Sequence, residues 1–251
     1  MRNLAFTKMQ GLGNDFLIVD GPMGLSPDEI SELCDRRLGI GADGVLEVSR
    51  DDSIRMRYWN ADGTPAEMCG NGLRCVARYA YDKGWARDRN YPIQTPIGAR
   101  GVKVLDDAVE VEIGRIKVTG HTEIDGDRYH LIDAGNPHAV VVVVDPDSID
   151  VATIGPRVER DPQFEGGTNV EFASFRDGRV DMRVWERGVG ETSACGTGMV
   201  AAAFVATKTD GFDGPISVGT RGGVGQVEFR DEVAWLRGPA EYVFRGNVGG
   251  R

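Results

Sequence analysis

The segment MRYWNADGTPAEMCGNG that begins at Met56 is restated by MRVWERGVGETSACGTG, which begins at Met182. Met, Arg and Trp recur at matching positions. Each copy reaches a Cys-Gly-x-Gly after the same interval, so Cys69 and Cys195 occupy equivalent points of two half-chains. The likeness extends upstream: Gly13-Asn14 opens an apolar run that closes at Asp20, and Gly135-Asn136 opens one that closes at Asp145. A period of about half the chain is far longer than the ~20–50 residues of solenoid repeats. Two related domains are therefore expected, and 251 residues divide into them naturally, because halves of roughly 100–150 residues are ordinary domains with cores of their own.

Composition narrows what such a pair of domains can do. A hydrophobic share of 41% without an apolar run near the ~18 residues that span a bilayer fits a soluble globular protein, with no membrane partner. The opening MRNLAFTKMQGLG lacks the sustained apolar core of a signal peptide, so a cytoplasmic location is expected. A formal net charge of −10 repels phosphate backbones and argues against a nucleic-acid partner, while leaving small zwitterionic substrates open. Cys34, Cys69, Cys75 and Cys195 are expected as free thiols in that compartment. Cys69 and Cys75 lack the C-x₂₋₄-C spacing of common zinc sites and only three histidines are present, so no metal is expected. The sequence does not fix the oligomeric state, a homodimer included.

Period-two alternation dominates the secondary-structure signal, as in SIRMRYW, AVEVEIG, RVDMRVW and VGQVEFR, with Asp, Gly and Asn between the runs. Helices are few. In SPDEISELCDRR, Ser26 predicts an N-cap, Pro27 the first helical position and Glu29 the far side of a capping box, with Ile30, Leu33 and Cys34 on one face. Two further helices are expected after the Cys-Gly-x-Gly turns, in LRCVARYAYDKG and MVAAAFVATK. The second has no polar face, which suggests a helix enclosed by sheet. The stretch IGRIKVTG is a plausible crossing between the halves.

The paired turns carry the chemistry. Where a loop enters a helix, the first backbone N–H groups have no intrahelical partner and sit at the positive end of the helix dipole. Residues 70–72 and 196–198 should therefore bind a carboxylate, and glycine lets it approach the main chain closely. The same field should lower the pKa of each neighbouring thiol and make a thiolate accessible near neutrality. Two thiols flanking one Cα can remove a proton from one face and return one to the other without a cofactor, while the N–H donors meet the charge that grows on the carboxylate. The bland alternative, two small buried residues in glycine-rich turns, does not explain why the interval from Met-Arg-x-Trp is kept.

The strings NADGTPAEMCGNGLRC, GNPHAV, NVEF, WERGVGETSACGTG and GPAEYVF resemble, in the same order and across essentially the whole chain, the diaminopimelate epimerase family. The resemblance implies an α+β fold of two pseudo-symmetric domains, each a mostly antiparallel β-barrel-like sheet around a central helix, with the active site between them. The expected domains are residues 1–114, with 240–251 returning to them, and 115–239. It implies conversion of LL- to meso-diaminopimelate in lysine biosynthesis, with no cofactor. Cys69 and Cys195 would alternate as base and acid. Gly70, Asn71, Gly196 and Thr197 would donate to the reacting carboxylate, and Asn14, Asn60, Asn136, Asn169, Glu186 and Arg187 would hold the amino groups and distal carboxylate. His138, with Glu186, would support proton transfer.

Each assignment has a plainer counterpart. Asn14, Asn60 and Asn136 stand beside Gly, Asp or Pro, where asparagine often only shapes a turn. Glu186 and Arg187 could be an exposed pair worth little, and His138 a surface histidine. The chain departs from the family at Gly41-Ala42-Asp43-Gly44, where relatives can carry glutamine after the aspartate, and no side-chain contact is assigned there. Two other functions remain in view. A proline or hydroxyproline racemase of the same fold uses the same two thiols, but usually shows histidine where this chain has Asn71 and needs no site for a distal carboxylate. A non-catalytic amino-acid-binding module would have no need of both cysteines.

Overall fold

The computed structural model describes residues 3–249. They divide into two compact units, one formed by residues up to Val111 together with those from Gly238 on, the other by Glu112–Arg237. Both are built mainly from strands, each with a helix sheathed by sheet, which is the α+β architecture the resemblance implied. Among the described residues no helix is long and apolar enough to cross a membrane.

In the first unit, β1 (Leu4–Gly11) and β2 (Asn14–Asp20) form an antiparallel hairpin. Its two turn residues, Leu12 and Gly13, take φ of 56° and 79°, the positive values a tight hairpin requires. This conformation is costly for a leucine, and Leu12 is held in it by burial. The turn places Asn14 at the first position of β2. Helix α1 (Pro27–Cys34) then returns the chain to β3 (Gly44–Arg50), parallel to β2. The capping box forms as expected: Glu29 N–H donates to Ser26 Oγ at 3.2 Å and Ser26 N–H to Glu29 Oε2 at 2.9 Å. Ser26→Ala should cost about 1 kcal/mol in urea or thermal unfolding; an unchanged midpoint would show the cap to be idle.

Alternation along the strands sorts their side chains between two helices. Leu17, Val19 and Val45 pack with Ile30, Leu33 and Cys34 of α1. Their neighbours Phe16, Ile18 and Leu46 are equally buried and point the other way. That inner face meets α2 (Gly70–Asp82), reached through β4 (Ile54–Asn60) and the short β5 (Pro65–Ala66). Strands β6 (Asn90–Thr95), β7 (Gly98–Val104) and β8 (Val109–Arg115) continue the sheet. The final strand, Glu241–Val248, pairs antiparallel with β1.

The second unit repeats the plan with β9 (Lys117–Ile124), β10 (Asp127–Asp133), β11 (Pro137–Val142), α3 (Val151–Glu159) and β12 (Asn169–Arg176). β13 (Arg179–Glu186), the short β14 (Gly190–Thr192), α4 (Gly196–Thr209), β15 (Ile216–Thr220), β16 (Gly223–Arg230) and β17 (Val233–Gly238) complete it. β11 and β12 are parallel, as β2 and β3 are. Val140 faces Glu171 where Ile18 faces Leu46, and Val170 faces Trp185 where Val45 faces Trp59. The duplication therefore holds residue by residue. Helix α4 is buried over most of its length, from Gly196 to Ala206, as its lack of a polar face predicted. Helix α3 went unanticipated, and its outer-face cluster of Val151, Val158, Val170 and Phe172 mirrors that around α1. IGRIKVTG is strand on both sides of Ile116, and the boundary between the units falls just before it, between Val111 and Glu112.

Candidate active site

Cys69 and Cys195 are the N-cap residues of α2 and α4, each with extended φ and ψ. The helices thus begin at Gly70 and Gly196, three residues before the expected apolar segments, because the glycines and the polar residue between them form the first turn. Gly70, Asn71 and Gly196 are buried and Thr197 is half-buried. The turn donors proposed from sequence therefore stand at two true helix starts.

In the first unit the thiol sits in a polar chain. Gly72 N–H donates to Cys69 Sγ at 3.4 Å, and Cys69 Sγ lies 3.5 Å from the Asn14 Oδ1 acceptor. Asn71 Nδ2 donates to the same oxygen at 3.2 Å. The far side of Asn14 is fixed too, since its Nδ2 donates to Asp43 Oδ2 at 2.6 Å. Asp43 is thus a site residue that the sequence reading passed over. The adjacent Gly44 has its own reason: a Cβ there would lie 2.3 Å from the Trp59 carbonyl oxygen. Asn60, at the end of β4, is half-buried and donates to Thr64 Oγ1 at 3.1 Å.

Behind Asn71 lies a second residue not anticipated, Arg74, which is 0% exposed. Its Nη2 donates to Asn71 Oδ1 at 2.9 Å and its Nε to the Pro239 carbonyl at 3.1 Å. Burial pulls the guanidinium below its ordinary pKa, opposed by Cys75 and Cys69. The equivalent residue of α4 is Val200, so this buried cation has no counterpart in the second helix.

The second half-site has the opposite electrical character. His138 is 1% exposed, which rules out a surface histidine, and its Nδ1 stands 2.7 Å from Glu171 Oε1. Its Nε2 stands 2.8 Å from Asn136 Oδ1. Glu186, at the end of β13, accepts from Thr192 Oγ1 and is hydrogen-bonded to Cys195, and burial raises its carboxyl. Thr197 Oγ1 lies 3.4 Å from Cys195 Sγ. Here the expected depression of the thiol fails. Burial, then Glu186, then Glu171 push Cys195 well above its ordinary value, against the opposing hydrogen bonds from Thr197 and Gly198 N–H.

Asn169 is buried, and both ends of its amide serve the protein: Nδ2 donates to the Pro137 carbonyl at 2.8 Å, and Oδ1 accepts from Arg187 N–H at 3.0 Å. It therefore ties the segment before His138 to the turn that carries Glu186 and Arg187. Glu159, also missed, grips that turn from α3, accepting from Trp185 Nε1 and Gly188 N–H at 2.8 Å each. Arg187 itself is exposed, and among the described residues its guanidinium forms no ion pair. A rigid turn thus presents a planar, unpaired fork able to grip a carboxylate.

The sequence profile described as diaminopimelate epimerase matches residues 6–119 and 130–243, one match in each copy. A diaminopimelate epimerase of Desulforudis audaxviator is 40% identical over 273 residues, covering 97% of this chain and 98% of the relative. That of Caldanaerobacter subterraneus subsp. tengcongensis is 37% identical, covering 98% and 99%. Among solved structures, a Bacillus anthracis phenazine biosynthesis protein of the PhzF family has a TM-score of 0.72 at 17% identity, covering 99% of each chain. A hydroxyproline epimerase of Agrobacterium vitis with bound trans-4-hydroxy-L-proline has a TM-score of 0.69 at 15% identity, covering 99% of this chain and 91% of its own. At such identities the two structures speak for the fold alone.

Proposed function

The chain belongs to the diaminopimelate epimerase family, and on that premise we propose that it converts LL- to meso-diaminopimelate with Cys69 and Cys195 as its two acid–base groups. The observation that carries this reading is the presence, in each unit, of one cysteine capping a helix whose first turn is glycine-rich. The two units act as the two domains of one enzyme and supply one thiol each. A thiolate takes the α-proton, and the C–H electron pair moves into the carboxylate as an enediolate. The other thiol then gives its proton to the opposite face of Cα. The charge that grows on the carboxylate meets N–H donors of the two helix starts, Gly70, Asn71, Gly196 and Thr197. After one turnover the thiol and thiolate have exchanged roles, so the reverse reaction uses the same pair.

Asn14, Asn60, Asn136, Asn169, Glu186 and Arg187 surround the substrate in this reading, with Glu186 accepting from an ammonium and Arg187 on the distal carboxylate. Asn14 and Asn169 contribute chiefly by holding Cys69 and the Arg187 turn. The reaction belongs to lysine biosynthesis and takes place in the cytoplasm. Its test is incubation of the protein with LL-diaminopimelate in deuterated water, followed by chiral analysis and α-deuterium measurement. Meso product with deuterium at the inverted carbon is expected. Folded protein that incorporates none would overturn the assignment.

A further inference from the structure

Glu171 is an ionisable side chain that the proposed mechanism leaves without a role. It is 0% exposed, on the inner face of β12, and its Oε2 has no hydrogen-bond partner among the described residues. Its counterpart in the first unit is Leu46, which lies below the first turn of α2: a Cβ on Gly72 would stand 3.2 Å from Leu46 Cδ2. In the second unit the carboxylate fills that place, and a Cβ on Gly198 would stand 2.6 Å from Glu171 Oε1. The same oxygen meets His138 Nδ1 at 2.7 Å, and the residue equivalent to His138 is Phe16. At these two equivalent positions one copy is therefore apolar, with Phe16 and Leu46, and the other holds a buried His–Glu pair.

Burying a carboxylate is unfavourable unless something uses it. A helix N-terminus stabilises anions nearby, and Glu171 puts one there before the Cys195 thiol can become another. We propose that Glu171 is a positioning residue that acts on Cys195 from beneath α4: it locks His138 against Asn136 and occupies the field of the helix start, so that Cys195 enters the cycle as the proton donor. Each sulfur accepts a backbone N–H of its own first turn, Gly72 for Cys69 and Gly198 for Cys195, and the difference lies below the helix, where Cys69 has Leu46 in the place of Glu171. The charged and titratable groups around Cys195 agree. Glu186 faces it from β13 and Glu171 from β12, with His138 on β11 bound to Glu171, and both carboxylates raise the thiol, as burial does. The inference rests on the reading of Cys195 as an acid–base group.

The test is a pH titration of the protein labelled with ¹³Cβ-cysteine, followed by NMR without substrate, its four signals assigned by single Cys→Ser variants. In the wild type, Cys195 should titrate above Cys69. Glu171→Gln keeps the shape and removes the charge, and should move the Cys195 midpoint down by on the order of one pH unit with Cys69 unmoved. Glu171→Asp, which restores the charge, should return most of the shift. An unmoved Cys195 midpoint in folded Glu171→Gln overturns the proposal, as does an equal movement of both thiols. If Glu171→Gln fails to fold, Glu171→Leu, which copies the packing of Leu46, replaces it, and a wild-type Cys195 that titrates below Cys69 overturns the proposal without any variant. Because no substrate is present, a protein that shows the shift yet fails to epimerise diaminopimelate would sink the proposed function alone.

Discussion

Replacing either Cys69 or Cys195 by alanine will abolish inversion of diaminopimelate. Inversion needs proton removal from one face of Cα and delivery to the other, and each helix start offers one thiol for the task. Positioned acid–base groups contribute about 10²–10⁴-fold each. Loss of one also stops the cycle, because the survivor can only return its proton to the face it came from. Chiral chromatography of the product should therefore show no second stereoisomer from either variant. Serine at one position can leave α-hydrogen exchange on one stereoisomer without inversion, which deuterium uptake would reveal. Cys34 and Cys75 are internal controls. Both are buried, and burial raises them to about 11 and about 12, so neither is a thiolate near neutrality. Alanine at these positions should cost roughly 1 kcal/mol of stability or less and leave turnover intact. Near-normal epimerisation by Cys69→Ala or Cys195→Ala would refute the two-thiol mechanism.

The parts of this arrangement that were legible in the sequence are those fixed by repetition or by short-range geometry. The interval from Met-Arg-x-Trp to Cys-Gly-x-Gly located both cysteines, and Ser26-Pro27 with Glu29 marked the start of α1 because capping residues act within a single turn. Glu171 was invisible for a physical reason. In NVEF the glutamate alternates with Val170 and Phe172, the pattern of a strand with one wet face. Here α3 covers one face and α4 the other, so the position that reads as solvent is the interior of the second unit. Arg74 misleads in the same way, as a charged residue in the enclosed N-terminal part of α2. Helix α3 was hidden by Gly155 and Pro156, which read as loop. Gly155 is needed at that point because a Cβ would come within 2.6 Å of the Trp185 ring. Long-range partners such as Asn14–Asp43 or Glu159–Trp185 leave no periodic trace at all.

Arg187→Ala will cripple kcat/KM for diaminopimelate while sparing the thiols. Asn169 and Glu159 fix the main chain on either side of Arg187, by its own N–H and that of Gly188. Truncation at Cβ should therefore leave the turn in place and remove only the guanidinium. The substrate's distal carboxylate then loses a charge-assisted, two-pronged partner. Truncated charge pairs that are desolvated in a complex cost about 2–5 kcal/mol, or roughly 30-fold to several-thousand-fold in kcat/KM. Arg187 is exposed before substrate binds, which places the expectation toward the lower part of that range. The loss should fall mainly on KM, because the distal carboxylate is remote from the reacting carbon and is held alike in ground and transition states. Arg187 is not among the groups that shift Cys195, so the thiol titration of the variant should match the wild type. Lysine, which lacks the distal carboxylate, should be ignored by the wild-type enzyme, as should proline. An Arg187→Ala protein with unchanged kcat/KM, or a wild type that racemises proline efficiently, would show that the site does not read a distal carboxylate, and would move the assignment toward the proline racemases that share the fold.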